Sequence, residues 1–419
     1  MSVQVTRLEA GLTVATDRMD SLESVSVGAW VGVGTRQEPE AVNGVAHLLE
    51  HMVFKGTARR SAQDIAEQIE AVGGHMNAYT GRETTAFYAN VLAEDLPLAV
   101  DIIADILQNS TFEEEELQRE RAVVIQEIGQ ANDTPDDIVF DFFQEAAYPE
   151  QAMGRPVLGR AEVIARLSRA ELQTYLAEHY SPQRMIVAAA GKVEHEAFVS
   201  LVAEAFAALP GNGAAAPAAA ADYRGGDFRE TRDLEQVHLL LGFESVSYHD
   251  PAYYPTLVLS TLFGGGMSSR LFQEVREKRG LVYSIYPYAA TYSDGGLFGI
   301  YAGTGESEVE ELIPVVAEEL NKLTQSVADE EVARARAQLK ASILMGRESS
   351  GARAEQLGQQ ILAYGRPLTV EEVVGKIEAV DAEAVRRLGG RLIASRPTLV
   401  ALGPVGRVEA YDSLTARFA

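Results

Sequence analysis

The chain has no cysteine among its 419 residues. That excludes disulfides, thiolate zinc sites, iron–sulfur clusters and cysteine nucleophiles, so any metal must be held by His, Asp or Glu. Basic residues are scarce: 36 Lys and Arg stand against 61 Asp and Glu, a net charge of −25. Such a balance argues against nucleic acid or an anionic membrane as the main partner. It admits a basic peptide, beside the plainer reading that the charge serves solubility. Long apolar runs are missing as well; nothing approaches the roughly 18 residues of a membrane span. The opening Met1-Ser2-Val3-Gln4-Val5-Thr6-Arg7 has no basic region followed by an apolar one. A cytoplasmic protein without a secretory signal is the expectation.

What is present suits a globular protein, 47% hydrophobic and 23% charged, and long enough for more than one core. Residues 209–226 form the one low-complexity stretch, rich in Ala, Gly and Pro. They read as an interdomain linker, 211–226, between an N-terminal domain at 1–210 and a C-terminal one at 227–419. The two halves repeat. Val187-Ala188-Ala189-Ala190-Gly191 matches Leu399-Val400-Ala401-Leu402-Gly403 at an offset of 212. Periodicity predicts strands at 3–8, 12–17, 24–34, 75–80, 84–91 and 184–190, with helices at 43–55, 94–109, 112–131, 136–148, 168–179 and 194–208, and one from a Ser61 cap to Val72. The second half predicts strands at 227–233, 236–243, 281–292, 296–304 and 397–402. Its helices fall at 251–263, 269–277, 306–325, 328–348, 351–364 and 369–393. The fold class is therefore α+β: two similar domains, each a mainly antiparallel sheet with helices covering one face.

His47-Leu48-Leu49-Glu50-His51 is the sharpest motif. On a helix His47 and His51 are i and i+4, so both imidazoles lie on one face and reach one ion. Glu50 can approach that ion's water without being a ligand. His-x-x-Glu-His is the inverzincin signature. Zinc of this kind takes three protein ligands and leaves a position open for water, whose proton a nearby carboxylate removes. The bland alternative is a pair of packed histidines on a surface helix. A third ligand is needed, cysteine is absent, and the helix at 112–131 offers several acids. Glu120, Val123, Val124, Glu127 and Ala131 form one stripe. Carboxylates in such a stripe are either paired or metal-bound, or else mark its water-exposed edge.

These residues resemble the pitrilysin–insulysin superfamily of zinc peptidases, and most of all the β-subunit branch of mitochondrial processing peptidase with its bacterial relatives. The resemblance is carried by Gly44 through Thr57 around the motif and by Gly73-Gly74-His75-Met76-Asn77-Ala78-Tyr79-Thr80. Glu120-Arg121, Gln126-Glu127-Ile128, Gly264 through Phe272, and Arg276 to Ser284 extend it over the whole chain. It implies one zinc ion per chain on His47, His51 and Glu127, with Glu50 as base and Glu120 supporting a ligand histidine. It also implies that Arg276 and Tyr283 contact substrate at the scissile bond; on their own these two read as a solvated helix end and a strand residue. Asn77, Ala78 and Tyr79 would form a substrate-docking edge strand; alone they read as an inner strand.

The duplicate cannot repeat the site, because the offset carries His47, His51 and Glu127 to Leu259, Phe263 and Leu339. Longer single-chain members of the superfamily enclose a chamber with four such domains, so this chain is expected to pair as a homodimer. The reading is a zinc metalloendopeptidase for unfolded peptides or leader sequences. Its rivals are a structural or peptide-binding subunit of the same fold and a catalytic subunit needing a different partner chain.

Overall fold

The computed structural model describes residues 3–209 and 218–418; residues 211–217 of the predicted linker lie outside the described residues. The first half runs β1 (Val3–Arg7), β2 (Thr13–Arg18), β3 (Ser24–Val31), α1 (Val45–Val53), α2 (Ala62–Ala71), β4 (His75–Thr80), β5 (Thr85–Leu92), α3 (Leu96–Asn109) and α4 (Glu114–Asn132). It continues through α5 (Pro135–Ala147), α6 (Ala161–Ile164), α7 (Arg169–His179), β6 (Met185–Gly191) and α8 (His195–Ala205). The second half runs β7 (Gly226–Thr231), β8 (Val237–Ser245), α9 (Tyr253–Gly264), β9 (Val282–Thr291), β10 (Gly296–Thr304) and α10 (Val309–Gln325). Then come α11 (Asp329–Gly346), α12 (Ser350–Tyr364), α13 (Val370–Glu378), α14 (Ala382–Ile393), β11 (Thr398–Gly403) and α15 (Tyr411–Ala416).

The duplication is visible in strand order. One sheet runs β1-β2-β6-β3-β5-β4, the other β7-β11-β8-β10-β9. Removing β1 makes the two orders correspond strand for strand. In each, one pair is parallel, β2 with β6 and β7 with β11, and the other pairs are antiparallel.

Two compact units form around these sheets, and neither is one continuous stretch. The first comprises the described parts of 1–129, 155–219 and 345–368, the second those of 130–154, 220–344 and 369–419. Each sheet thus carries a helix drawn from the opposite half of the chain. The expectation of helices on one face is corrected here. Every residue of β6 is buried. Met185, Val187 and Ala189 join the core formed with α1, α3 and α8, whereas Ile186, Ala188 and Ala190 meet Trp30, Leu357 and Ile361 on the other side. A strand apolar on both faces needs cover on both. In the first unit α12 supplies it; in the second, α5 places Val139, Phe143 and Ala147 against Leu240, Leu297 and Val400.

The seating of α12 is close. A Cβ on Gly358 would lie 2.4 Å from the Trp30 ring, and Glu355 accepts from both Trp30 Nε1 (2.8 Å) and the Tyr79 hydroxyl (2.6 Å). Gly358→Leu is expected to lift α12 off the sheet and destabilise the protein by about 1–3 kcal/mol, the usual range for overpacking. A lower denaturant midpoint checks it.

Two predicted helices differ. The helix expected over 369–393 is broken into α13 and α14, because the Asp381 side chain accepts from the Ala384 N–H and starts a new helix. The one expected at 269–277 opens at Arg270 and is wound as a π-helix over Phe272–Glu277. Among the described residues no helix is long and apolar enough to cross a membrane.

Candidate metal centre

Helix α1 is only nine residues long and nearly engulfed. Val45, Ala46, Leu48, Leu49, Met52 and Val53 are buried. The stripe left less buried is His47, Glu50, His51 and Phe54, the i, i+3, i+4, i+7 face of a helix. Core packing therefore selects which side chains α1 presents.

Glu127, on α4, turns toward that stripe. Its Oε2 lies 3.5 Å from His51 Nε2 and 3.9 Å from His47 Nε2. One donor atom from each of the three falls within 4.8 Å of the others, the single such group among the described residues. Zinc bonds of about 2.0–2.1 Å at a tetrahedral centre would set donor atoms about 3.4 Å apart. A small contraction therefore brings this trio to fit. Burial, with His51 alongside, holds His47 down at about 4; its imidazole is neutral at neutral pH and available as a ligand.

Supporting contacts fix the trio unevenly. His51 Nδ1 lies 3.1 Å from Glu120 Oε2, positioned to donate to the buried carboxylate, and Lys55 Nζ meets the other oxygen of Glu120 at 2.9 Å. A carboxylate behind a ligand histidine sets its ring orientation and raises its basicity. Among the described residues His47 has no such partner: its Nδ1 is buried without a hydrogen bond. Glu50 stands apart from the donor set. The Thr80 hydroxyl at the end of β4 donates to Glu50 Oε2. Burial pushes the Glu50 carboxyl up, with Thr80 and His51 pulling it back.

Among the described residues β4 is the terminal strand of its sheet, paired only with β5. His75 and Asn77 are exposed on it, and the Ala78 N–H donates to the Asn77 side-chain oxygen (2.8 Å). The hydroxyl of Tyr79 faces α12. In the second unit, Arg276 and Tyr283 come together: the guanidinium lies 5.7 Å from the Tyr283 ring centre and 5.1 Å from that of Phe272. Tyr283 is 77% exposed on β9. Leu259 and Phe263, at the positions matching His47 and His51, are fully buried.

Thr80 and Lys55 were not singled out by sequence reasoning. Lys55 does carry a signal, four residues beyond His51 and so one helical turn along. Thr80 has none beyond its place in the Gly73–Thr80 segment.

Residues 13–161 match the family described as insulinase (peptidase family M16), and residues 166–339 match the peptidase M16 inactive domain. An uncharacterized zinc protease of Streptomyces coelicolor is 39% identical over 96% of this chain and 90% of its own. One of Rickettsia felis is 38% identical over 96% and 97%, and one of Bacillus subtilis 35% over 95% and 97%. In fold, the chain superposes on a protease from Helicobacter pylori with a TM-score of 0.89 at 20% identity, covering 96% of this chain and 99% of that one. It superposes equally on a chain of Complex III2 from Candida albicans, TM-score 0.88 at 21% identity, covering 99% of both. Likeness at that identity speaks to fold alone. The identity to the zinc proteases, sustained over nearly the full length of both partners, places this chain in peptidase family M16, the insulinase family.

Proposed function

We propose that the chain is a zinc metalloendopeptidase that cuts unfolded peptides, leader sequences among them, as a homodimer with one zinc per chain. The observation that carries this reading is the convergence of His47, His51 and Glu127 on one point, with Glu50 beside that point but outside the donor set. The names of the zinc-protease relatives support it.

His47, His51 and Glu127 would hold the ion. When bound, zinc polarises water and the scissile carbonyl. Glu50 takes a proton from the attacking water as its oxygen bonds to the carbonyl carbon. It then delivers that proton to the leaving nitrogen as the C–N bond breaks. Thr80 holds Glu50 in place for both transfers. A peptide adds to the free edge of β4, where the Ala78 N–H exchanges the Asn77 oxygen for a substrate carbonyl. Such docking reads backbone rather than sequence and requires an extended chain, which favours unfolded substrates. Arg276 and Tyr283 supply a cation and a phenol to the oxyanion of the tetrahedral intermediate. The net charge of −25 favours basic peptides.

Metal analysis together with cleavage mapping on an unfolded peptide tests the activity. The dimer has its own test, in which each zinc is served by the partner's Arg276 and Tyr283. Glu50→Gln and Arg276→Ala chains are each expected to be nearly inactive, with Arg276→Ala down about 10²–10³-fold by analogy with loss of an oxyanion donor. Mixed after subunit exchange, they are expected to regain one working site in each heterodimer. No recovery, with heterodimers seen by native mass spectrometry, would mean that each chain completes its own site.

A further inference from the structure

The start of α1 is gripped by a carboxylate from outside the helix. Glu38 is 2% exposed. Its Oε2 accepts from the Gly44 N–H (2.8 Å) and from Asn43 Nδ2 (2.9 Å), and its Oε1 from the Ala46 N–H (2.8 Å). Arg155 donates to the main-chain carbonyl of Glu38 rather than to the carboxylate. A buried carboxylate of this kind is costly unless the groups around it are specifically arranged to receive it. Burial pushes Glu38 up to about 7, and the N–H groups of Ala46 and Gly44 and the Asn43 amide pull it back.

The first turn of any helix leaves backbone N–H groups without partners, and the preceding residue's side chain usually answers them. Here that residue is Gly44, at φ +95°. A side chain there is excluded: a Cβ would lie 2.8 Å from Gly159 Cα and 2.6 Å from Ile164 Cδ1. The cap must come from elsewhere, and it comes from six residues upstream. Asn43 is arranged to serve it. The Asn43 amide turns its NH2 to Glu38 and to the Pro156 carbonyl (3.3 Å), leaving its own oxygen buried without a partner.

We propose that Glu38 is a positioning residue of the metal centre: by holding both Gly44 and Ala46 it fixes where α1 presents His47 and His51. The need is greatest at His47. His51 is steadied through Nδ1 by Glu120, but His47 Nδ1 has no partner among the described residues, so the placement of His47 rests on the backbone that carries it. Ala46, whose N–H Glu38 holds, is its immediate neighbour.

This inference rests on His47, His51 and Glu127 being a zinc site. Three measurements on the full chain test it: zinc affinity by competition with a chromophoric chelator, the visible spectrum of the cobalt(II)-substituted protein, and denaturant stability of the metal-free form. Glu38→Gln keeps the shape but must set an NH2 against one of the two backbone donors. It is expected to weaken zinc binding about 10–100-fold, as loss of a supporting partner does, and to shift the cobalt bands that report ligand geometry. Asn43→Ala is expected to move both readouts the same way by less. A folded Glu38→Gln with wild-type zinc affinity and cobalt spectrum would overturn the inference, whatever its stability. Should Glu38→Gln not fold, Asn43→Ala decides by the same readouts. A wild type that takes up no zinc overturns the metal reading and this inference with it; a zinc-binding wild type with indifferent variants overturns this inference alone.

Discussion

Glu50→Gln is expected to retain zinc and lose proteolysis. Glutamine matches glutamate in shape, and its carbonyl oxygen can still accept from the Thr80 hydroxyl, so α1 and its histidines have no reason to move. What is lost is the capacity to take a proton. A positioned acid–base group contributes about 10²–10⁴-fold. Glu50 serves both halves of the reaction, accepting from water and donating to the leaving nitrogen, so kcat/KM is expected to fall toward the upper end, about 10⁴-fold. KM should change little, because peptide docking is assigned to β4. Zinc content and cleavage measured on the same preparations decide it: zinc retained with cleavage unchanged removes Glu50 as the base, and zinc lost makes it a ligand. A pH dependence follows in the wild type. Burial raises the Glu50 carboxyl, and the base works deprotonated. Activity is therefore lost on the acid side as Glu50 takes up a proton, at a pH set by burial, which raises the carboxyl, against the bound zinc, which lowers it.

How much of this is legible in the sequence depends on whether local pattern or long-range contact sets the feature. The histidine pair was legible because the period of a helix dictates that i and i+4 share a face. The Ser61 cap was legible because it is a contact within three residues, made to the Asp64 N–H. The duplication was legible in two largely apolar strands, β6 and β11, that match at one offset. Neither strand alternates, a sign of cover on both faces that the one-face expectation passed over. Nothing local says which helix supplies that cover, so the exchange of α5 and α12 could not be read. The break at Asp381 was hidden because α13 and α14 together keep a continuous helical pattern. Glu127 was ambiguous for a physical reason. Its side chain is 38% exposed, so it satisfies the description of a stripe edge in water and that of a ligand at an open site. Glu38 and Thr80 act through hydrogen bonds to a different element, α1, and such partners leave no periodicity.

Glu127→Gln is expected to release the metal while leaving the protein folded. The two acids near the histidines differ in what they hold. Glu120 is buried, paired with Lys55 and bonded to the rear of the His51 ring. Its loss should cost the about 10–100-fold in metal affinity typical of a supporting partner. Glu127 reaches the front of both rings. Its replacement removes one donor of three and the only negative charge in the set, so the loss of affinity should exceed that range. The fold has little stake in Glu127: it is part-exposed on α4, whose buried residues are Leu117, Glu120 and Val124. Metal-free wild type and metal-free Glu127→Gln should then unfold at the same denaturant concentration. Adding zinc should separate them, because a ligand that binds only the native state stabilises it by about 2.7 kcal/mol at a hundredfold excess over Kd. That gain is expected for the wild type and absent for Glu127→Gln. Equal stabilisation of both by zinc would mean that the ion sits elsewhere, and the hydrolytic assignment of His47 and His51 would fall with it.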